Sequence, residues 1–130
     1  KHRKEVNKDA ENLMRRLEII DTAQRQITEV SGGQLQRACL CRALINAPKI
    51  IFADEPTGAL NSKAAEEVMR ELTAANRAGT AVLMITHNEQ WLTDYPGTVY
   101  RCADRKITKM TAMETPSVAV PEENETDVLN

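Results

Sequence analysis

Three short polar clusters in this 130-residue chain have residue types that suit phosphate and metal chemistry. Asp54 and Glu55 end a short apolar run. Two adjacent carboxylates at a strand end can hold Mg²⁺, directly or through water, and can orient or deprotonate an attacking water. The tetrapeptide Ser31–Gln34 would let backbone N–H groups approach a phosphate. His87 ends a second apolar run, so it would emerge at the same edge of a parallel sheet.

Each cluster also has a simpler structural interpretation. The two carboxylates could only solvate the end of a strand. The Ser-Gly-Gly-Gln segment could be an ordinary capped helix start, and His87 could be a hydrogen-bonded loop histidine. The three clusters together, in this order along the chain, favour a functional site.

Sequence periodicity predicts the helices that position these clusters. Apolar residues at spacings of four and three predict an amphipathic helix over about residues 4–20. Ser31 and Gln34 have the form of a capping box, so a second helix should begin there and stop before Pro48. Its buried face should consist of Leu35, Ala38, Cys39 and Ala43. A third helix is expected over residues 62–77, with Ala65, Val68, Leu72 and Ala75 inward and Gly79 just beyond its end.

Two apolar runs predict buried strands, over residues 49–54 and 80–86. Strand, crossover helix and strand imply parallel pairing, so the predicted fold class is α/β with helices packed on the sheet. A short helix over residues 89–93 and a hairpin formed by residues 98–102 and 106–110 should follow.

Composition is that of a soluble globular protein, with 42% apolar residues, 28% charged residues and a net charge of −2. No apolar run approaches the roughly 18 residues of a membrane span. Three cysteines without a CxxC motif predict a reducing, cytosolic compartment. A basic cluster at residues 1–8 could be a nucleic-acid arm, but a solvated helix face is the favoured interpretation. Acidic residues 114–130 contain no base and are expected to be disordered.

With its motifs in this order, the chain resembles the ATP-binding-cassette (ABC) ATPases from about Lys4 to Met110. Ser31-Gly32-Gly33-Gln34 and the residues after it are similar to the signature motif and its helix. Residues 50–55 resemble the Walker B strand with the catalytic glutamate, and His87 resembles the switch histidine. Gly58, Ala59, Leu60 and Asn61 resemble the D-loop, although Asp is usual where Asn61 stands. Residues 54–60 are similar to exporters of lipoproteins, macrolides or antimicrobial peptides.

The resemblance implies a partial P-loop NTPase fold and an active site shared by two ATPase domains that pair head to tail. Asp54 would bind Mg²⁺, Glu55 would act on water and His87 would hold the γ-phosphate of the domain's own ATP. The signature residues (Ser31, Gly32, Gly33, Gln34) would contact ATP held by the partner domain, and residues 58–61 would lie at the interface. Residues 1–47 would belong to the helical subdomain, 48–112 to the ATPase core and 113–130 to the tail.

One motif of the family is missing, since no G-x-x-x-x-G-K-[ST] occurs in the chain. We therefore expect the chain to be the C-terminal half of a longer ATPase subunit and to be inactive alone. The intact subunit would hydrolyse ATP to drive export through a separate permease, on the inner face of the membrane, without binding nucleic acid. The alternatives are a soluble ABC ATPase that acts on DNA or ribosomes, and a short regulatory module that donates a signature helix to a partner.

Overall fold

The fold was obtained as a computed structural model, which describes residues 3–111 of the chain. Its elements are, in chain order, α1 (Arg3–Arg16), α2 (Gly32–Leu44), β1 (Ile50–Asp54), α3 (Ser62–Arg77), β2 (Ala81–Ile85), α4 (Gln90–Asp94), β3 (Tyr100–Ala103) and β4 (Lys106–Lys109). The 3₁₀ turns Ile20–Thr22 and Ile27–Glu29 lie between α1 and α2. The chain divides into one compact unit up to His87 and another from Asn88 onward. The predicted disordered tail lies outside the described residues.

The first unit contains the predicted parallel strand pair. β1 and β2 pair in parallel with Phe52 opposite Leu83 and Asp54 opposite Ile85, and α3 forms the crossover between them. This arrangement confirms the predicted α/β class with parallel strands. Because the strands are parallel and in this register, their carboxyl ends meet at one edge of the sheet.

Helix α3 supplies half of the buried apolar residues described in this unit. Its buried residues are Ala64, Ala65, Val68, Met69 and Leu72. Burial of each large aliphatic side chain contributes about 1.5–3 kcal/mol. The predicted inward positions Ala65, Val68 and Leu72 are confirmed, whereas Ala75 is half-buried. Gly79 has φ of +104° directly after the helix, so the predicted glycine stop is confirmed.

Helix α1 ends at Arg16, four residues earlier than the sequence predicts. Glu18 adopts a left-handed φ of 51°, its N–H donates to the Arg15 carbonyl at 3.0 Å, and the Ile19 N–H donates to the Met14 carbonyl at 2.8 Å. These two bonds form a Schellman motif, which terminates the helix although Leu17 and Ile19 are fully buried beyond it. The apolar periodicity therefore continues past the end of the helix, and the predicted boundary at residue 20 is wrong.

Side-chain pairs join α3 to the end of α1. Arg16 donates from Nε and Nη2 to the two carboxylate oxygens of Glu71, at 2.7 and 3.1 Å. The hydrogen bond to Glu71 raises the pKa of Arg16. Lys63 donates to Glu18 at 2.6 Å. Both pairs reach solvent, which weakens the attraction between the charges, so neither pair is a main source of stability.

The predicted buried face of α2 is wrong. Leu35, Cys39 and Ala43 are exposed and Ala38 is half-buried, whereas Cys41 is the buried residue of this helix. A helical stripe shows which residues share a face, but two apolar stripes compete in α2. The stripe that includes Cys41 packs inward.

The strands are also less buried than predicted. Ile51 of β1 is buried, but Phe52 is 72% exposed and Ile85 of β2 is 60% exposed. Alternate strand residues point to opposite faces, and α3 packs beside β2. Within residues 3–111, the face that carries Phe52 and Ile85 is therefore open, so the prediction of buried strands is wrong for this face.

The second unit contains the predicted short helix and hairpin. In α4, Trp91 is buried and its ring meets Tyr95 edge-on with centroids 5.6 Å apart. β3 and β4 are antiparallel and joined by Asp104 and Arg105, whose φ values of 49° and 59° are those of a type I′ turn. Across residues 3–111, the structure contains no helix that is both long and apolar enough to span a bilayer.

Candidate functional site

The backbone of Glu55 is fixed where β1 ends. Its N–H donates to the Ile85 carbonyl at 2.9 Å, which continues the pairing of the two strands by one residue. Its carbonyl accepts from the Gly58 N–H at 3.1 Å and from Gln36 Nε2 at 2.8 Å. Glu55 has a left-handed φ of 43°, a conformation that costs free energy for a residue with a side chain. Contacts from β2, from α2 and from the following turn therefore hold this conformation.

The Glu55 carboxylate is held beside His87, at the edge where the two strands end. Oε1 accepts from the His87 backbone N–H at 2.7 Å, and Oε2 accepts from Thr86 Oγ1 at 3.4 Å. The His87 ring nitrogen Nε2 lies 3.8 Å from the same Oε1. The His87 side chain is 97% exposed and that of Glu55 is 37% exposed, so both reach solvent. A carboxylate and an imidazole in this arrangement can orient a water and donate to an anion.

Asp54 is the last residue of β1 and lies opposite Ile85 in β2. Its carboxylate is exposed and makes no hydrogen bond or ion pair within residues 3–111. The described part of the chain contains no group of three side chains that could hold a metal by themselves. An exposed carboxylate beside a second one is a donor set that Mg²⁺ can use, because Mg²⁺ takes one or two carboxylates together with water and phosphate oxygens.

The predicted capping box at the start of α2 is confirmed. Ser31 Oγ accepts from the Gln34 N–H at 3.2 Å, and the Ser31 N–H donates to Gln34 Oε1 at 2.9 Å. Because the first N–H groups of a helix have no carbonyl to bind within it, those of Gly32 and Gly33 are available to an outside acceptor. The helix dipole adds positive potential at this end. The start of α2 therefore has the donors that an anion needs.

The two glycines of this segment differ in their surroundings. A Cβ on Gly33 would lie 3.0 Å from Leu60 Cδ2 and 3.4 Å from the Ala59 carbonyl oxygen, whereas a Cβ on Gly32 would meet nothing within 4 Å. A side chain on Gly33 would therefore force Leu60 to shift, because α2 packs closely against residues 58–61 here. No packing contact of the described chain requires a glycine at Gly32.

Asn61 caps helix α3. Its Oδ1 accepts from the Ala64 N–H at 2.9 Å, and its φ and ψ are extended. Asp would accept the same hydrogen bond, so Asn61 preserves the helix start without the charge. The interface role predicted for Asn61 stays a prediction.

Sequence reasoning missed Gln36, whose side chain reaches the Glu55 carbonyl. The sequence shows one part of this contact, because Gln36 follows Gly33 by three residues and therefore lies on the same face of α2. That face packs against the turn after β1. A prediction of Gln36 would have required knowing that α2 and this turn are neighbours.

The comparisons with known proteins agree with the site. Residues 2–58 match the family model described as ABC transporter. Over these residues the chain is similar to the ATP-binding-cassette family, and its structure is part of the P-loop NTPase fold of these ATPases. This similarity agrees with the resemblance that the motifs indicate, and the fold class is confirmed.

Two relatives and one solved structure show the extent of the match. The chain is 40% identical over 113 residues to the macrolide export ATP-binding/permease protein MacB of Marinobacter nauticus, over 87% of this chain and 17% of that protein. It is 41% identical over 88 residues to the uncharacterised ABC transporter ATP-binding protein YknY of Bacillus subtilis, over 68% of this chain and 38% of that protein. A dimeric, post-hydrolysis state of the ATP-binding cassette MJ0796 bound to ADP and Pi superposes with a TM-score of 0.62 at 36% identity, over 69% of this chain and 40% of that one. The chain therefore spans less than half the length of these proteins.

Proposed function

We propose that this chain is the part of an ABC exporter's ATP-hydrolysing subunit that runs from the signature motif to the switch histidine. The observation that carries the proposal is the pairing of Glu55 with His87 beside Asp54, at the carboxyl edge of β1 and β2. The second support is the separate N-terminus of α2, where the capping box leaves the N–H groups of Gly32 and Gly33 without a carbonyl to bind within the helix. The predicted division into residues 1–47, 48–112 and 113–130 is part of this proposal.

In this proposal the residues at the strand ends serve ATP bound to their own domain. Asp54 binds Mg²⁺, Glu55 orients and deprotonates the attacking water, and His87 donates to the γ-phosphate. The exposed His87 ring and the half-exposed Glu55 carboxylate support these roles, because both can reach a bound nucleotide. The hydrogen bond from the His87 backbone N–H to the Glu55 carboxylate holds these two residues next to each other.

The residues at the start of α2 serve ATP bound to a partner domain. Gly32 and Gly33 offer backbone N–H donors, and Ser31 keeps a hydroxyl proton to donate because its oxygen is the acceptor in the cap. Since no contact within the described chain explains a glycine at Gly32, close approach by an outside phosphate is the explanation we adopt. Residues 58–61, which pack against Gly33, lie at the edge of this interface.

The partners follow from the same proposal. A second ATPase domain docks head to tail, and the dimeric state of the MJ0796 cassette supports such pairing. A permease couples hydrolysis to export and holds the subunit at the cytoplasmic face of the membrane. The name of MacB, which combines ATP-binding and permease functions in macrolide export, supports an exporter assignment.

The test is ATP hydrolysis by three samples: the intact subunit that contains this sequence, its Glu55→Gln variant and the 130-residue chain alone. We expect turnover by the intact subunit only. ATP binding should persist in Glu55→Gln, because the amide keeps the shape of the side chain and loses the base. Steady turnover by the 130-residue chain that Glu55→Gln abolishes would refute the claim that the chain lacks a complete site. Normal turnover in intact Glu55→Gln would refute the role of Glu55.

A further inference from the structure

A side chain of α2 contacts the turn that carries Glu55. Gln36 Nε2 donates to the Glu55 carbonyl oxygen at 2.8 Å, and the Gln36 side chain is half-buried. The orientation of the amide is defined, because only its nitrogen can donate to a carbonyl. The other amide atom, Gln36 Oε1, is buried and has no hydrogen-bond partner within the described residues.

Stability by itself does not explain a glutamine at this position. A buried acceptor without a partner costs free energy, and an apolar side chain of the same length would avoid that cost. Methionine has nearly the shape of glutamine and carries no amide. What glutamine supplies at this position, and methionine does not, is the hydrogen bond to Glu55.

The bond acts on a residue whose backbone conformation is unfavourable. Glu55 has φ of 43°, and such conformations persist only where the surroundings fix them. The Glu55 carbonyl is held by Gln36 from α2 and by Gly58 from the following turn. These two hydrogen bonds restrain the peptide group that follows Glu55, and so help to hold the backbone from which its side chain projects.

We infer that Gln36 is a positioning residue for Glu55, and that it links the α2 helix to the carboxylate at the end of β1. The inference rests on the proposed function, in which the start of α2 contacts the partner's ATP and Glu55 serves the domain's own ATP. The adjacent Arg37 ties the helix to a different segment, because its Nη1 donates to the Leu17 carbonyl at 3.0 Å. Helix α2 therefore has polar ties to two segments, one to the end of α1 and one to Glu55.

The experiment is Gln36→Met in the intact subunit, compared with wild type. Because Gln36 touches no proposed nucleotide ligand, kcat should fall about tenfold while the KM for ATP changes less than about twofold. The melting temperature should stay equal or rise, since the unpaired buried acceptor is removed. Gln24→Met makes the same chemical change at an exposed site, and it should leave kcat, KM and melting temperature unchanged.

Two further variants separate positioning from general damage to the helix. Gln36→Glu keeps the shape of the side chain but replaces the donor with a carboxylate oxygen, which the Glu55 carbonyl would repel, so it should also lower kcat. Gln36→Met added to Glu55→Gln should leave ATP-dependent dimerisation unchanged, because the start of α2 is not altered. A lower melting temperature or weaker dimerisation in parallel with kcat would mean a merely structural role and would overturn the inference.

The outcomes for Gln36 and for the proposed function are distinguishable. If wild type is active, Glu55→Gln is inactive and Gln36→Met has kcat within about twofold of wild type, the inference is wrong and the proposed function stands. If Glu55→Gln itself keeps normal turnover, the proposed function fails and the inference falls with it.

Discussion

The start of α2 and the turn at Glu55 use their hydrogen-bonding groups in different ways. Glu55 is fixed at its N–H, its carbonyl and its carboxylate by three separate segments of the same chain. At Ser31–Gln34, the two capping residues satisfy each other, and the glycine N–H groups between them have no carbonyl to bind within the helix. One half of the candidate site is thus organised within the chain, whereas the other half needs an acceptor from outside. This difference is what a site shared between two domains requires.

The largest effects should come from one substitution in each half of the site. In the intact subunit, Glu55→Gln and Ser31→Arg should each lower ATP turnover at least about 100-fold. They should differ in assembly, because Glu55→Gln leaves the donors of α2 in place, whereas the longer, charged side chain in Ser31→Arg would block them. ATP-dependent dimerisation measured by light scattering should therefore persist only in Glu55→Gln. An ATP-dependent dimer of normal affinity in Ser31→Arg would contradict the assignment of the start of α2.

His87→Ala tests the half of the site that is organised within the chain. The bond to Glu55 comes from the His87 backbone, so it survives the substitution and only the ring is lost. Turnover should fall about 100-fold while ATP affinity measured by equilibrium titration is retained. Unchanged turnover would mean that the exposed ring has no role in hydrolysis.

A matched pair of glycine substitutions tests the start of α2, the half of the site that needs an outside acceptor. The expected effects on stability are small. Gly32→Ala should leave stability unchanged or raise it by at most about 1 kcal/mol, because alanine is the better helix former. Gly33→Ala should be less stable than Gly32→Ala by about 1 kcal/mol, since its Cβ would lie 3.0 Å from Leu60 Cδ2. Urea unfolding of the two variants measures the difference. Equal midpoints would show that α2 does not pack closely on Leu60.

The smallest effect concerns the two faces of α2, one exposed and one inward. Burial raises the pKa of the Cys41 thiol to about 11. The thiolate is the reactive form, so at pH 8 only about one Cys41 in a thousand is reactive. Iodoacetamide labelling followed by peptide mass spectrometry should modify exposed Cys39 at least about ten times faster than Cys41. Raising the pH towards 11 should increase the Cys41 rate, and equal rates at pH 8 would contradict the observed packing of α2.

The features that were predicted from the sequence depend on local or strictly periodic interactions. The capping box of Ser31 and Gln34 involves residues three apart, so the sequence contains the whole interaction. The two β-rich runs separated by a helix predict the parallel pair, and parallel pairing brings Glu55 and His87 to one edge. Much of the candidate site was therefore predictable before its geometry was known.

The features that were missed depend on contacts between distant segments. The left-handed Glu18 ends α1 where Gly is usual, so the helix stop has no clear sequence signal. The hydrogen bond from Gln36 to Glu55 joins residues nineteen apart, and the buried position of Cys41 depends on what packs against α2. Apolar residues in a strand predict burial, but burial also requires another element that packs on the strand. Among the described residues, Phe52 lies on an open face and is exposed.

The most direct test of a shared site is a mixing experiment with the two largest-effect variants. Purified intact subunits of Glu55→Gln and Ser31→Arg are assayed for ATP turnover separately and then combined. A wild-type sample is the control, and its turnover shows that two copies of the subunit are sufficient for hydrolysis. In a mixed pair, one site combines Glu55 of the Ser31→Arg copy with the intact Ser31 of the Glu55→Gln copy. We expect the mixture to regain turnover although each variant alone is inactive. A mixture no more active than the sum of its parts would contradict the claim that two domains complete each site.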